Sequence, residues 1–226
     1  MNARQIPRKK GEQVRAVDLL KRVAFRHTKL GAPRYPFNVE PIQLATLIFE
    51  IDRMKHTAGA IVEIGVSRGM TTRFVCEHLI RSGCTDQVLY AVDTFQSFLK
   101  DDIEYEVTNR GETRGKDLKG MFDYNDFEIW KRNFSAFPFV KAFQSDCSKF
   151  DYASIAPIKI AFLDVDLYLP TRRALPRIYE HLCDGGVVMV DDVQGDFGAR
   201  QAYLEFCSTL GAQPSVIGNK CGVIRK

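Results

Sequence analysis

Residues 60–83 read AIVEIGVSRGMTTRFVCEHLIRSG, and this stretch holds two kinds of pattern in succession. Residues 60–65 form a short apolar run rich in β-branched side chains, which is typical of a buried strand. The residues that follow Gly65 are predicted to form a helix that stops near Gly83. A strand that passes through a glycine turn into a helix is the opening of a βαβ unit.

The same alternation continues through the rest of the chain. Further strands are predicted at residues 88–93, 139–145, 159–164 and 187–192, with a closing pair within 213–226. Further helices are predicted at residues 12–28, from Pro41 onward, at 169–186, where Gly-Gly ends the helix, and at 198–211. Apolar strands that alternate with helices predict an α/β fold with a doubly wound, mostly parallel sheet covered on both faces.

The chain is predicted to divide into an N-terminal helical cap, residues 1–57, and a main domain, residues 58–226. Residues 94–138 form an insertion that is longer than an ordinary connection between strands. Its second half, which contains DFEIWKRNF, predicts a helix. The polar first half is interpreted as a mobile flap over the active site, and a disordered surface insertion is the alternative.

Composition excludes several classes of protein. The 226 residues are 45% hydrophobic and 27% charged, which suits one folded α/β domain with extra elements. No stretch approaches the roughly 18 apolar residues of a membrane span, and no apolar segment follows the basic N-terminus as in a secretory signal. Six scattered cysteines indicate reduced, buried thiols in a cytoplasmic protein. The four histidines lack the spacing of a zinc site.

The net charge of +4 is concentrated near the N-terminus. Residues 1–34 contain ten basic and two acidic residues. Such a basic arm could contact nucleic acid or an anionic substrate. The favoured alternative is a solvated amphipathic helix that caps the domain or pairs two subunits, because no aromatic interleaving or recognition motif accompanies the charge.

Acidic residues stand at the end of every predicted strand of the parallel sheet. In order along the chain they are Glu63, Asp93, Asp146, Asp164 with Asp166, and Asp191 with Asp192. In open α/β sheets the carboxyl ends of the strands form the ligand-binding edge. Repelling charges gathered at that edge need a cation, a metal ion, or hydroxyl and amino groups to bind.

The first turn distinguishes between cofactors. Its spacing is Gly65-x-x-x-Gly69 rather than Gly-x-Gly-x-x-Gly, and Asp93 lies too far along the chain, which argues against an NAD-dependent dehydrogenase. Gly65 allows a sharp turn, and the next helix offers N–H groups to an anion. These features suit S-adenosylmethionine, with its carboxylate at the helix and Glu63 at its amino group or sulphonium.

Other strand ends complete the predicted cofactor site. Thr71 or Thr72 assists in binding the carboxylate, Asp93 accepts the ribose hydroxyls, and Asp146 reaches the adenine amino group. The predicted cofactor-binding residues are Glu63, Gly65, Ser67, Gly69, Thr71, Thr72, Asp93, Ser145, Asp146 and Asp164.

The second half of the sheet predicts a metal site. Asp164, Asp191 and Asp192 offer three hard oxygen ligands from adjacent strand ends, which suits Mg²⁺. A bound metal ion can lower the pKa of an oxygen ligand, for water from about 16 toward 7, which would help to ionise an aliphatic hydroxyl. Asp166 is the candidate general base, or it orients the substrate hydroxyl, on the expectation that the strand continues through it. The alternative for residues 191–192 is a helix N-cap.

Four segments resemble the macrocin O-methyltransferase family: VEIGVSRGMTT, AVDTFQSF, AFLDVDLYLPTRRAL, and GGVVMVDDV followed by GARQAYLEF. The resemblance covers roughly residues 58–225, and the layout is more distantly similar to catechol-type O-methyltransferases. It implies a class I methyltransferase fold with a seven-stranded sheet and an antiparallel last strand. It also implies Mg²⁺ dependence and sugar hydroxyls of natural products as acceptors. The site residues that it implies are the metal ligands Asp164, Asp191 and Asp192, the candidate base Asp166, and the cofactor-binding residues Glu63, Gly65, Asp93 and Asp146.

These observations predict an S-adenosylmethionine-dependent O-methyltransferase, assisted by Mg²⁺, that acts on a small molecule or a glycosyl group in the cytoplasm. The N-terminal helices could join two copies, and neither a membrane nor nucleic acid is an expected partner. Two alternatives stay open. One is a metal-independent methyltransferase acting on nitrogen or another acceptor; the other is a module that binds nucleic acid or a partner through the basic arm.

Overall fold

The computed structural model describes residues 16–226, and the chain divides into two compact units, residues 1–36 and 37–226. The described part of the first unit contains helix α1, Ala16–His27, and a short 3-10 turn, Lys29–Gly31. Helix α1 confirms the described part of the helix predicted at 12–28. The basic residues before Ala16 lie outside the described residues.

The second unit contains the remaining helices and all strands of the described chain. The helices are α2 Pro41–Arg53, α3 Met70–Arg81, α4 Lys100–Arg110, α5 Gly115–Leu118, α6 Phe127–Asn133, α7 Tyr168–Glu180 and α8 Gly198–Thr209. The strands are β1 Ala60–Ile64, β2 Leu89–Asp93, β3 Val140–Gln144, β4 Ile158–Leu163, β5 Leu182–Val190, β6 Ser215–Ile217 and β7 Cys221–Arg225.

The strands form one seven-stranded sheet in the order β3-β2-β1-β4-β5-β7-β6. Strands β1 to β5 pair in parallel, whereas β7 pairs antiparallel with β5 and with β6. The doubly wound fold with an antiparallel last strand is therefore confirmed. The strand order reverses between β1 and β4, and in such sheets this switch point is where ligands bind.

Two apolar clusters cover the two faces of the sheet, because successive residues of a strand point to opposite sides. In β1, Ile61 packs in one cluster and Val62 in the other. Helix α2 contributes Leu44, Leu47 and Ile51 to the first cluster. The compact units accordingly divide the chain after residue 36 rather than at the predicted boundary of 57, because α2 fills the core of the main unit.

The C-terminal end of α7 differs from the prediction. The helix ends at Glu180, and Gly185 and Gly186 lie inside strand β5, whose pairing with β4 shifts register between Ile158 and Ile160. Gly185 has a φ of +73°, and a Cβ on Gly186 would approach the carbonyl oxygen of Cys183. The two glycines therefore permit an irregularity at the start of a strand instead of ending a helix.

The insertion also differs in part from the prediction. Its second half contains α6 as predicted, and its first half contains α4 and α5, which were not predicted. The role of the first half as a mobile flap stays a prediction. Helix α4 packs against the start of α7: the Tyr105 and Tyr168 rings stack 5.5 Å apart, and the buried carboxylate of Glu106 accepts the backbone N–H of Tyr168 at 2.5 Å. These contacts order a segment that polarity alone predicts to be loose.

None of the helices found among residues 16–226 is long and apolar enough to cross a bilayer.

Candidate active site

The carboxyl ends of β1, β2, β4 and β5 open onto one cavity of about 290 Å³, which is near the lower end of the usual size for small-molecule sites. The cavity lies at the switch point between β1 and β4. Its wall includes most of the predicted site residues, namely Glu63, Gly65, Ser67, Thr71, Asp93, Ser145, Asp146, Asp164, Asp166, Asp191 and Asp192. The acidic strand ends that the sequence predicts to converge are therefore brought together.

Gly65 lines the cavity where the turn after β1 passes the residues that follow β4. It has a φ of +81°, and a Cβ at this position would overlap the carbonyl oxygen of Asp164. Both facts require glycine, because other residues rarely adopt this conformation and none fits the space. The close approach of the two chain segments makes one continuous site from the ends of both strands.

Glu63 is a buried carboxyl group that is hydrogen-bonded to a hydroxyl. The Thr72 hydroxyl, itself fully buried, donates to Glu63 Oε2 at 2.6 Å. Burial raises the pKa of Glu63 to about 8, and the charge of Asp93 adds to the shift, although Thr72 opposes it. A cationic ligand beside this carboxyl group would lower its pKa and stabilise its ionised form.

Thr72 therefore has a different position from the predicted one. It is absent from the cavity wall and orients Glu63 instead of reaching a ligand carboxylate, whereas Thr71 lines the cavity. Gly69 is also absent from the wall. It has a φ of +84° at the start of α3, and a Cβ there would meet the rings of Phe134 and Trp130.

Asp93 holds the loop after β1 in shape. Its Oδ2 accepts the backbone N–H groups of Val66 at 2.7 Å and Ser67 at 3.1 Å, and its Oδ1 accepts that of Phe95 at 2.6 Å. The Thr94 hydroxyl also donates to Oδ1, at 3.4 Å, so four contacts within the chain hold Asp93 and the loop together. Its predicted role at the ribose hydroxyls stays a prediction.

Asp146 follows β3 and lines the part of the cavity formed by residues after β1, β2 and β3, called here the cofactor side. Its Oδ1 accepts the backbone N–H of Ser148 at 2.8 Å, and its Oδ2 lies 3.5 Å from the ammonium of Lys149. The adjacent Ser145 lines the same wall. This position is compatible with the predicted role at the adenine amino group, which stays a prediction.

The four aspartates after β4 and β5 form an acidic centre, defined here as Asp164, Asp166, Asp191 and Asp192. Burial raises the pKa of Asp164 well above its usual range, and the charges of Asp191 and the other two aspartates add to the shift. Burial likewise raises the pKa of Asp166, assisted by a hydrogen bond with Asp192. Burial and the neighbouring charges therefore both favour the protonated forms of Asp164 and Asp166.

The backbone at the acidic centre is unusual. Asp166 has a φ of +59° and Asp192 a φ of +55°. The sequence predicts that Asp166 reaches the cavity by continuing β4, but the strand ends at Leu163. Asp166 instead reaches the cavity through a left-handed turn, a conformation that aspartate tolerates better than most residues. Helix α8 begins after Phe197, so residues 191–192 do not form its N-cap.

Lys220 supplies the positive charge of the acidic centre. Its ammonium lies 2.9 Å from Asp191 Oδ2 and 3.2 Å from Asp192 Oδ1. Burial opposes its charged form, but hydrogen bonds and charges from Asp191 and Asp192 outweigh burial and raise the pKa of Lys220. The other oxygen of Asp191 accepts the side-chain amide of Gln43 at 2.6 Å.

The predicted Mg²⁺ ligands do not fit a metal ion in this arrangement. Asp164, Asp191 and Asp192 line one cavity, but both oxygens of Asp191 and one of Asp192 accept from Gln43 or Lys220. In the part of the chain that the structure describes, no three acidic, histidine or cysteine side chains are arranged to hold a metal ion.

Residues of the insertion contact the turn after β1 and line part of the cavity. Asn125 donates its side-chain amide to the carbonyl oxygen of Ser67 at 2.9 Å, and the hydroxyls of Tyr124 and Ser67 are 2.9 Å apart. Asp102 and Phe122 line the cavity from the same segment. The insertion thus lies over the turn that follows β1.

Sequence reasoning missed three residues of the site. Lys220 stands in a polar turn between two short strands, Gln43 in an amphipathic helix, and Asp102 in a charged run. None of them belongs to a motif or has a distinctive spacing. For Gln43 the one available signal is that a polar residue stands near the start of an otherwise apolar helix face.

Comparisons with known proteins agree with the fold. The profile of the family described as Macrocin-O-methyltransferase (TylF) matches residues 42–217. The O-methyltransferase NovP is similar in structure, with a TM-score of 0.64, 18% identity and coverage of 82% of this chain and 78% of that chain. A search of curated proteins gave no significant match.

Two structures of CalS11 are also similar. One, described as calicheamicin methyltransferase, has a TM-score of 0.65 and 14% identity and covers 97% of this chain and 99% of that chain. The apo structure, described as a TDP-rhamnose 3′-O-methyltransferase, has a TM-score of 0.55 and 14% identity and covers 95% and 99%.

Proposed function

Because the chain belongs to the macrocin O-methyltransferase family and is therefore a methyltransferase, we propose that it methylates a hydroxyl group of a sugar or another small molecule. The proposed methyl donor is S-adenosylmethionine. The observation that carries the proposal is the shared cavity: the predicted cofactor residues after β1 to β3 and the acidic centre after β4 and β5 line the same space.

The residues of the cofactor side fit S-adenosylmethionine. Glu63 is buried, carries a raised pKa, and is hydrogen-bonded to the neutral hydroxyl of Thr72 rather than to a cation. The amino group or sulphonium of the ligand would provide a positive charge. Gly65 has no side chain, so a ligand can approach its backbone in the cavity. Thr71 lies at the start of α3, where free N–H groups favour a carboxylate.

When bound, S-adenosylmethionine supplies an activated methyl group on a sulphonium. This chain has two remaining tasks, which are to place the acceptor oxygen in line with that methyl group and to take its proton. Asp166 is the proposed general base. Its raised pKa makes its carboxylate a stronger base once ionised, and a positive ligand in the cavity would favour the ionised form.

The acceptor class rests on the family and not on a contact seen in this chain. The family is described as Macrocin-O-methyltransferase, and CalS11 is described as a TDP-rhamnose 3′-O-methyltransferase. These two descriptions favour a sugar hydroxyl as the acceptor. The Mg²⁺ assistance predicted from the sequence is not part of the proposed mechanism, because Lys220 and Gln43 engage the expected ligands.

Titration calorimetry with S-adenosylmethionine tests the proposal, with E63Q as the comparison. We expect saturable binding by the wild-type protein and weaker binding by E63Q, which loses the charge opposite the ligand. Release of S-adenosylhomocysteine is then measured with a nucleoside diphosphate sugar, an alkyl glycoside and a phenol. Absence of binding by the wild-type protein would refute the proposed function.

Two expectations from the sequence stay predictions. The described cysteines are all free, which supports a reducing compartment such as the cytoplasm. Pairing of two copies through the N-terminal helices is tested by measuring the mass of the full chain in solution and of a chain that begins at residue 37.

A further inference from the structure

Hydrogen bonds fix both the backbone and the side chain of Lys220. It follows the turn between β6 and β7, where Gly218 and Asn219 have φ values of +58° and +56°. Its backbone carbonyl accepts the N–H of Val193 at 2.6 Å, directly after the acidic pair of residues 191 and 192. The side chain is 13% exposed. The backbone therefore sets the ammonium against the acidic centre.

The ammonium of Lys220 uses all its donors. It lies within hydrogen-bond distance of Asp191 Oδ2, Asp192 Oδ1 and, at 3.4 Å, the carbonyl oxygen of Asn38. A lysine ammonium has three N–H donors, so each has an oxygen acceptor. The group is surrounded by oxygen atoms as a small bound cation would be.

The same carboxylates are those that the sequence assigns to Mg²⁺. A Mg²⁺ ion needs oxygen ligands at about 2.0–2.1 Å in near-octahedral order. An ion bridging Asp191 Oδ2 and Asp192 Oδ1 would overlap the Lys220 ammonium, and two like charges would face each other. The remaining oxygen of Asp191 is held by Gln43. A metal ion and the ammonium are therefore alternative occupants of one position.

We propose that Lys220 is the resident cation of the acidic centre and excludes a divalent ion from it. The ammonium holds Asp191 and Asp192 together, and Asp166 lines the same cavity as these two carboxylates. Lys220 is therefore a positioning residue for the candidate base. Its effect on turnover rests on the proposed function, whereas its effect on metal binding does not.

The test compares the binding of Mn²⁺, with no other ligand present, by wild-type protein, K220M and K220R. Electron paramagnetic resonance of the free ion measures how much Mn²⁺ is bound. Methionine keeps the unbranched stem without the charge, and arginine keeps the charge as a matched control. We expect K220M to bind Mn²⁺ at least about tenfold more tightly than the wild-type protein or K220R. The gain should disappear in the double variant K220M/D191N.

Equal Mn²⁺ affinity in wild-type protein and K220M would overturn the proposal, as would a gain that persists in the double variant. If K220M does not fold, K220Q takes its place. Tight binding of Mn²⁺ to the wild-type protein that is lost in D191N would overturn the proposal without any Lys220 variant.

A second readout is methyl transfer in the presence of a chelator. We expect the wild-type protein to stay active, and K220M to lose activity that added Mn²⁺ restores at least in part. Failure of the wild-type protein to bind S-adenosylmethionine would instead contradict the proposed function, and the Mn²⁺ comparison would still decide the role of Lys220.

Discussion

The two halves of the cavity neutralise their acidic residues in different ways. On the cofactor side, Asp93 and Asp146 accept nearby backbone N–H groups, and Glu63 accepts a hydroxyl nine positions further along the chain. On the other side, the acidic centre depends on one lysine that lies 29 positions beyond Asp191. The first arrangement relies mainly on backbone N–H and hydroxyl donors, whereas the second relies on the charge of an ammonium group.

We expect this difference to separate binding from chemistry. The cofactor side is a preformed set of loops with one buried carboxyl group whose hydrogen-bond partner is neutral. The acidic centre is a group of neighbouring carboxyl groups in which burial, together with the charges of Asp191 and Asp192, raises the pKa of Asp166. Changes on one side should therefore affect cofactor binding, and changes on the other should affect turnover.

The largest expected effect is on turnover, in D166N. Asparagine preserves shape but cannot take the proton of the acceptor, so we expect methyl transfer to fall by about 100-fold to 10,000-fold. Affinity for S-adenosylmethionine, measured by calorimetry, should stay close to that of the wild-type protein. D184N, a change at an exposed aspartate, is the control and should keep full turnover. Equal losses of binding and turnover in D166N would remove the separation between the two halves.

The next effect concerns Glu63 and pH in the protein without ligand. Its pKa of about 8 in the folded protein exceeds the ordinary 4.5, so the folded protein keeps a proton that the unfolded chain releases. The stabilising contribution of that proton is complete below about pH 4.5 and is lost as the pH rises through 8. Relative to E63Q, the free energy of unfolding of the wild-type protein should fall by on the order of 3–5 kcal/mol.

Urea unfolding of both proteins at pH 5 and pH 8.5 measures this change. The E63Q variant is the reference because it keeps the shape and a hydrogen-bond acceptor for Thr72 but does not titrate. A difference in stability that is the same at both pH values would show that Glu63 is ionised throughout.

The smallest expected effect lies where the two halves meet, at Gly65. G65A adds a methyl group against the carbonyl oxygen of Asp164, whereas G83A adds one at a φ of +70° with open space around it. Both variants bear the cost of a left-handed alanine, about 1–2 kcal/mol, and G65A bears roughly 1–3 kcal/mol more from overpacking. Denaturant unfolding measures the difference. Equal losses of unfolding free energy in G65A and G83A would mean that the two chain segments separate easily and that Gly65 is needed only for its conformation.

Much of the fold follows from patterns within short segments. The apolar strand at residues 60–65, its glycine turn and the helix after it carry their own periodicities, and the strand predictions agree with the structure to within one residue or two at most ends. The start of β5 and the folding of residues 100–110 into α4 could not be predicted in this way. Both depend on partners elsewhere, because β5 adapts its register to β4, and Glu106 of α4 meets the N-terminus of α7 62 positions later.

By itself, the sequence determined which side chains end the strands, and it therefore determined that acidic groups gather at one edge of a parallel sheet. Only the tertiary structure decided what neutralises them. Gln43 meets Asp191 from 148 positions away, and Lys220 arrives because β7 pairs antiparallel with β5. A contact of that kind leaves no periodicity in the sequence, since it arises from the topology of the sheet and not from the spacing of residues along one element.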